Sequence, residues 1–349
     1  MSSFVKIKKE NNVEIAGVKT SIRNWQIVST GSESFNFILG GGLELNSITL
    51  IGEDKYGKYS DILTKLFLAD SFHHNHHIYF ASLDNDPKKI MKEIPMPNEY
   101  QKDTKTEETI SNDLRIAFRY QDLPKIDSVQ RGSSQNSVTY DLTKKYEKDV
   151  IERYEKINYY SFNEQQQRGE NVFDSIIRDL QSTLAQKPEL LRVCISSIGS
   201  PLWFTGESFS SDLITFLTQL KSITRYNNVV CYLTMPLHLI NLIDEQLIFK
   251  IRRLVDCNIN LESFNNIEKQ TNAVFKQYHG LLHIKKMHSI AALQSHKPEA
   301  FDLAFKLKSN RFLIEKLHLP PELQENDSSE ISMSCSSIAS GGGNKSLDF

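Results

Sequence analysis

A chain of 349 residues that is 39% apolar and 24% charged has the composition of an ordinary soluble globular protein with a sizeable core. Its formal charge of -2 offers phosphates no molecule-wide attraction, so a nucleic-acid contact would need a local basic patch. MSSFVKIKKENN lacks the apolar centre of a signal peptide and no apolar run reaches the roughly 20 residues that span a bilayer, so a soluble intracellular protein without membrane partners is expected. Cys194, Cys231, Cys257 and Cys335 are too far apart for a disulfide framework or a zinc-ligand pattern.

Residues 1–27 read as an N-terminal arm. SITLI (Ser47 to Ile51) then predicts a strand, and Tyr59, Ile62, Leu63, Leu66 and Phe67 recur at the spacing of one helix face. IYFASL (Ile78 to Leu83) predicts the next strand. Both runs are apolar on successive residues, as expected of parallel strands covered on both faces, with the helix as their crossover. About 95–170 is polar, with DTKTEET and QRGSSQNS, and reads as an insertion of loops and short helices.

The alternation then resumes. Val172, Ile176, Leu180 and Leu184 form a helical stripe, RVCISSI (Arg192 to Ile198) a strand, Leu213, Phe216, Leu217, Leu220 and Ile223 a second stripe, and VVCYLT (Val229 to Thr234) a strand. Leu237 to Ile251 reads as one helix and CNINL (Cys257 to Leu261) as a fifth strand. Strands interleaved with helices predict an α/β domain with a mostly parallel sheet. GLLHIKK (Gly280 to Lys286) and DLAFKLKSNRFLIEKL (Asp302 to Leu317), with a turn at Ser309 and Asn310, predict an antiparallel extension. Residues 324–349, rich in Ser, Gly and Asn, read as a disordered tail after a domain spanning 28–323.

Between the first strand and helix lies GEDKYGKYS (Gly52 to Ser60). Gly52, Gly57 and Lys58 have the spacing and the strand–loop–helix context of a phosphate loop. A working loop also needs a hydroxyl in the first helical turn to hold Mg2+, and Tyr59 stands there instead, with Ser60 about 100° further round the helix. Glu53 and Asp54 add negative charge, each costing on the order of 4 kcal/mol at 4 Å from a phosphate at an effective dielectric of 20. RVCISSIGS, where a second metal-holding carboxylate would end a later strand, has only Ser196 and Ser197. Asp84 and Asp86 read as a water-activating pair or as loop and cap residues.

TGSESFNFILGGGLELNSITLIG (Thr30 to Gly52) resembles the segment preceding the phosphate loop of RecA-like ATPases, with Gly40, Gly41 and Gly42 supplying a turn. Together with IAFRYQDLPK (Ile116 to Lys125), ISSIGSPLW, TMPLHLI, YHGLLHIKK and DLAFKLKSNRFLIEKLHLPPEL, it makes the chain similar to the fourth-subunit family of the Elongator complex over roughly Val28 to Leu323. The resemblance implies a RecA-like P-loop NTPase fold and a non-catalytic role without cofactor or metal. It implies a hetero-hexameric ring with the fifth and sixth subunits, docked on the catalytic subunits. That complex modifies the wobble uridine of tRNA, with its chemistry in the third subunit, and the ring binds tRNA. A cytoplasmic and nuclear location goes with it. The competing reading is a RecA-like ATPase with an atypical phosphate loop, served by Lys58 and Ser60.

HHNHH (His73 to His77) reads as a solvated helix end or a metal-binding cluster. In KIRR, Arg252 and Arg253 suit either tRNA phosphate or a helix C-terminus. Arg119 and Tyr120 suit a subunit interface or an RNA loop, and Trp203 a core or interface anchor.

Overall fold

The structure, a computed structural model, describes residues 15–20, 25–98, 138–160, 171–204, 206–265, 273–288, 298 and 300–317. Its elements lie in the unit Met1–Lys316. A small antiparallel sheet comes first, made of β1 (Val18–Thr20), β2 (Gln26–Val28) and β3 (Leu43–Glu44), with helix α1 (Glu33–Ile38) between the last two. Gly40, Gly41 and Gly42 all have positive φ, and a Cβ on Gly42 would stand 2.2 Å from the Val28 carbonyl, so the glycine turn is a steric requirement.

The next elements are β4 (Ser47–Gly52), α2 (Tyr59–His73), β5 (His77–Ser82), α3 (Pro87–Met91), β6 (Pro95–Pro97), β7 (Tyr140–Lys145), α4 (Lys148–Glu152) and β8 (Ile157–Tyr159). Then come α5 (Val172–Ala185), β9 (Leu191–Ser196), α6 (Phe209–Tyr226), β10 (Val229–Met235), α7 (Leu237–Ile243) and α8 (Glu245–Leu254). The chain closes with β11 (Cys257–Ser263), β12 (Gly280–Lys286), β13 (Leu303–Leu307) and β14 (Phe312–Lys316).

The main sheet has nine strands in the order β14-β13-β12-β11-β4-β10-β9-β5-β8. From β11 to β8 all neighbours run parallel, and β12, β13 and β14 add antiparallel, as the alternation of Leu303 and Phe305 predicted. β4 is held on one side by β10, with Ile48 opposite Cys231, and on the other by β11, with Thr49 opposite Cys257. Alternate side chains of these strands feed two apolar layers. One packs Ile51, Phe80 and Ile259 against Leu63 and Phe67 of α2, and the other packs Leu50, Val193 and Leu233 against Ile176 of α5, Leu217 of α6 and Ile251 of α8. Burying each such side chain contributes about 1.5–3 kcal/mol.

Three sequence expectations need correction. Leu237 to Ile251 is two helices, because Asp244 adopts extended geometry and its carboxylate accepts the Gln246 N–H at 2.9 Å, capping α8. The polar insertion is more than loops and short helices. Its described flanks form β6, β7, α4 and β8, bury Tyr140, Ile151 and Tyr160, and place β8 as a sixth parallel strand beside β5. HHNHH is not simply a solvated helix end, since His76 is buried with Nε2 2.6 Å from the Ala16 carbonyl oxygen.

Candidate functional site

β4 delivers Gly52 to the carboxyl end of the sheet, and α2 begins at Tyr59, so the loop 53–58 stands over the strand ends. Glu53 is pinned at once: its N–H donates to the Met235 carbonyl at 2.8 Å and its carboxylate accepts from Thr234 Oγ1 at 2.6 Å. Burial raises the Glu53 pKa, outweighing the hydrogen bonds from Thr234 and Ser197.

Asp54 then turns inward and is buried. Its carboxylate accepts the N–H groups of Gly57 at 2.6 Å, Tyr59 at 2.6 Å and Ser60 at 3.4 Å. These are the unsatisfied donors at the positive end of a 15-residue helix, the groups that a phosphate would engage. Asp54 therefore does more than repel an anion: it is the anion. Lys58 makes the turn with φ of 52°, leaving its own side chain exposed.

Tyr59 seals the arrangement. Its ring packs 4.9 Å from Phe305 and 5.6 Å from His279, as its place in the apolar stripe predicted. It also lies over the loop, because a Cβ on Gly57 would come within 2.1 Å of it. Ser60, the next residue of the first turn, is buried. At the end of β9, Ser196 is buried with no hydrogen-bond partner for Oγ, and the Ser197 N–H donates to Thr234 Oγ1 at 2.8 Å. Asp84 accepts from Ser200 Oγ at 2.5 Å, and Asp86 caps α3 by accepting the Lys88 N–H at 3.0 Å. Among the described residues no three His, Cys, Asp or Glu side chains converge on a metal position.

Several large apolar side chains are exposed in the segments that follow these strands. Tyr56 in the loop, Leu202 and Phe204 after β9, and Leu242 and Ile243 at the end of α7 are all exposed, Leu242 at 82%. The close approach of Gly199 to Ile240 sets the segment after β9 against α7, and that of Gly52 to Leu237 sets α7 beside the loop.

Comparison with known proteins supplies the family. The model of the family described as PAXNEB protein matches residues 11–349. Elongator complex protein 4 of Drosophila melanogaster is 32% identical over 100% of both chains. The chain belongs to the Elongator complex protein 4 family. The human protein of that name is 34% identical over 97% of this chain and 89% of its own, and that of Saccharomyces cerevisiae 25% identical over 84% and 73%.

In this member of the Elongator complex protein 4 family, Gly52 ends β4, Gly57 and Lys58 lie in the loop and Tyr59 opens α2. Arg252 and Arg253 sit elsewhere, in the last turn of α8, which leads into the amino end of β11 while the loop stands at the carboxyl ends. The Arg252 guanidinium lies 5.8 Å from the centroid of the exposed Phe249 ring, and Lys286 Nζ donates to the Arg252 carbonyl at 3.0 Å. Trp203 requires correction as an interface candidate. It is fully buried in this chain, stacked 5.8 Å from Phe173, and has no surface to offer a partner. Arg119 and Tyr120 lie outside the described residues.

A buried ionic network, which no motif in the sequence announces, joins α2 to β9. Arg192, at the start of an apolar strand, donates from Nη2 to Asp70 Oδ2 at 2.7 Å and from Nη1 to the Ser29 carbonyl at 3.0 Å, with both charged side chains at most 1% exposed. Tyr140 donates to Asp70 Oδ1 at 3.1 Å, and His74 Nδ1 lies 3.6 Å from Oδ2. The network ties α2, β7, β9 and the segment after β2 together. Its signal was a charged residue inside each of the runs LFLADSF and RVCISSI.

Proposed function

We propose that this chain is a non-catalytic, RecA-like subunit of the Elongator complex. In this reading it alternates with the fifth and sixth subunits in a hetero-hexameric ring, which docks on the catalytic subunits, binds tRNA and supports modification of the wobble uridine, in the cytoplasm and nucleus. The observation that carries it is the Asp54 carboxylate held on the N–H groups of Gly57 and Tyr59. A nucleotide phosphate and this carboxylate compete for the same donors, and the intramolecular ligand needs no binding step.

The strand order supports the RecA-like assignment. The phosphate-loop strand is internal, flanked by β10 and β11, and its loop lies at the carboxyl ends, where open α/β sheets bind ligands. The exposed side chains of Tyr56, Leu202, Leu242 and Ile243 support the ring, since large apolar groups left in water are what a partner surface covers. Arg252 stacked on the exposed Phe249 supports RNA contact by charge and stacking.

The test is the native mass of the full chain purified with the two partner subunits, with and without tRNA. A six-chain assembly that gains tRNA is expected, and a monodisperse monomer indifferent to both partners would overturn the reading. Lys58→Ala in that assembly separates out the ATPase alternative. Unchanged ATP turnover and tRNA binding are expected, whereas lost turnover in an intact ring would establish the enzyme.

A further inference from the structure

Beside the filled loop lies a cleft of about 200 Å³, walled by α2, α3 and the end of β9. Its lining carries the carboxylates of Asp61, Asp86 and Glu93 against the ammonium groups of Lys65 and Lys89. Three of these five are already engaged. Lys65 is tied to Glu93 at 2.6 Å, and Asp86 caps α3. Asp61 is the exception among the carboxylates: among the described residues no hydrogen-bond donor reaches its half-buried side chain. Burial disfavours its charge; Lys58 and Lys65 offset this in part, while Asp54 and Asp84 add repulsion.

Ser196 supplies an independent observation. It lines the same cleft, is only 4% exposed, and its Oγ has no hydrogen-bond partner. A buried hydroxyl without a partner is uncommon in folded proteins and asks for one. The cleft thus offers two unused acceptors in a surround with more carboxylates than cations. Phosphate does not suit it, because three carboxylates line the cleft and the helix N–H groups beside it are already held by Asp54. A metal ion does not suit it either, since the carboxylates do not converge in threes among the described residues.

We infer that this cleft receives an arginine side chain of a partner protein, its guanidinium paired with the Asp61 carboxylate and the Ser196 hydroxyl. A guanidinium is planar and weakly hydrated, and its five donors can engage a carboxylate in a fork while leaving an N–H for a hydroxyl. The alkyl stem fits a cleft of this size and would lie along Ile90 and Thr64. The inference rests on the reading that the phosphate loop holds no nucleotide.

The full chain is titrated in separate NMR experiments with Nα-acetyl-arginine amide, with its neutral isostere Nα-acetyl-citrulline amide, and with Mg-ATP. The expected result is a saturable shift of the Asn85 and Ser196 amide signals with the arginine probe alone. Asp61→Asn, which preserves shape, should weaken that binding about tenfold, the loss of one charge-assisted pair; Ser196→Ala should weaken it by less. Equal binding of citrulline, binding unaffected by Asp61→Asn, or no saturable shift with arginine would overturn the cleft assignment. Binding of Mg-ATP on the Gly57 and Tyr59 amides would instead overturn the reading of the loop, so the two failures are distinguishable.

Discussion

Replacing Arg192 by methionine removes the guanidinium and keeps much of the apolar stem. The wild-type side chain is 0% exposed, and its loss strips Asp70, itself 1% exposed, of its 2.7 Å partner. Tyr140 and His74 remain, but neither carries the fixed charge of an arginine. Breaking one side of a buried pair costs about 3–5 kcal/mol, and at roughly 2–4 °C per kcal/mol the melting temperature should fall by on the order of 10 °C. Urea unfolding of the full chain at neutral pH measures this as a lower midpoint at unchanged slope.

The pH dependence gives a second readout. Burial alone would raise the Asp70 pKa, yet Arg192 and His74 outweigh it and bring it down to about 2. A folded pKa below the unfolded value of about 3.9 means that the ionised carboxylate contributes stability above pH 4, on the order of 2 kcal/mol, lost as pH falls from about 4 to about 2. In Arg192→Met burial dominates, so the folded pKa rises and that contribution changes sign. The variant should therefore lose most at neutral pH and recover relative to wild type near pH 4. Asp70→Leu combined with Arg192→Met should regain most of the loss, because two apolar residues leave no charge stranded. Wild-type stability of Arg192→Met at pH 7 would refute the reasoning.

Asp54→Ala should cost about 1–2 kcal/mol, as for loss of a strong helix cap, and speed hydrogen exchange at the Gly57 and Tyr59 amides, which lose their acceptor. Gly57→Ala should destabilise by about 1–3 kcal/mol, since the new methyl meets the Tyr59 ring; combining it with Tyr59→Ala should abolish the extra cost, as a double-mutant cycle would show. Burial, followed by the Arg192 charge, lowers the His76 pKa to about 3. Because the unfolded imidazole binds its proton near pH 6.5, stability should drop as pH falls from about 6.5 towards 3, and His76→Gln should flatten that part of the melting profile. Asp244→Ala should cost about 1 kcal/mol and let the break between α7 and α8 fray, visible as faster exchange at Gln246.

The parallel strands were legible because both faces are buried, so SITLI and VVCYLT read as unbroken apolar runs. β1, β2 and β8 were not, since three residues carry no usable period, and β8 gains its place only by pairing with β5. The helix through Leu237 to Ile251 kept its apolar period across Asp244, so periodicity could not register the cap. At the site, the spacing Gly52, Gly57 and Lys58 and the packing role of Tyr59 were readable. The destination of the Asp54 carboxylate was not, because it depends on a left-handed turn at Lys58 that no propensity predicts for lysine. Nor was the Arg192 pairing, whose partner lies 122 residues earlier.

The internal position of β4 has a consequence for biosynthesis. Its backbone at Ile48 is hydrogen-bonded to Asp256, 208 residues later, and both flanking strands come from the second half of the chain. At a translation rate of roughly 5–20 residues per second, that strand waits about 10–40 s before its second edge can be covered, with both edges bare until β10 emerges. During that interval the nascent polypeptide displays a long apolar ribbon open to intermolecular pairing, so chaperone capture on the ribosome should be most intense before Ser263 emerges.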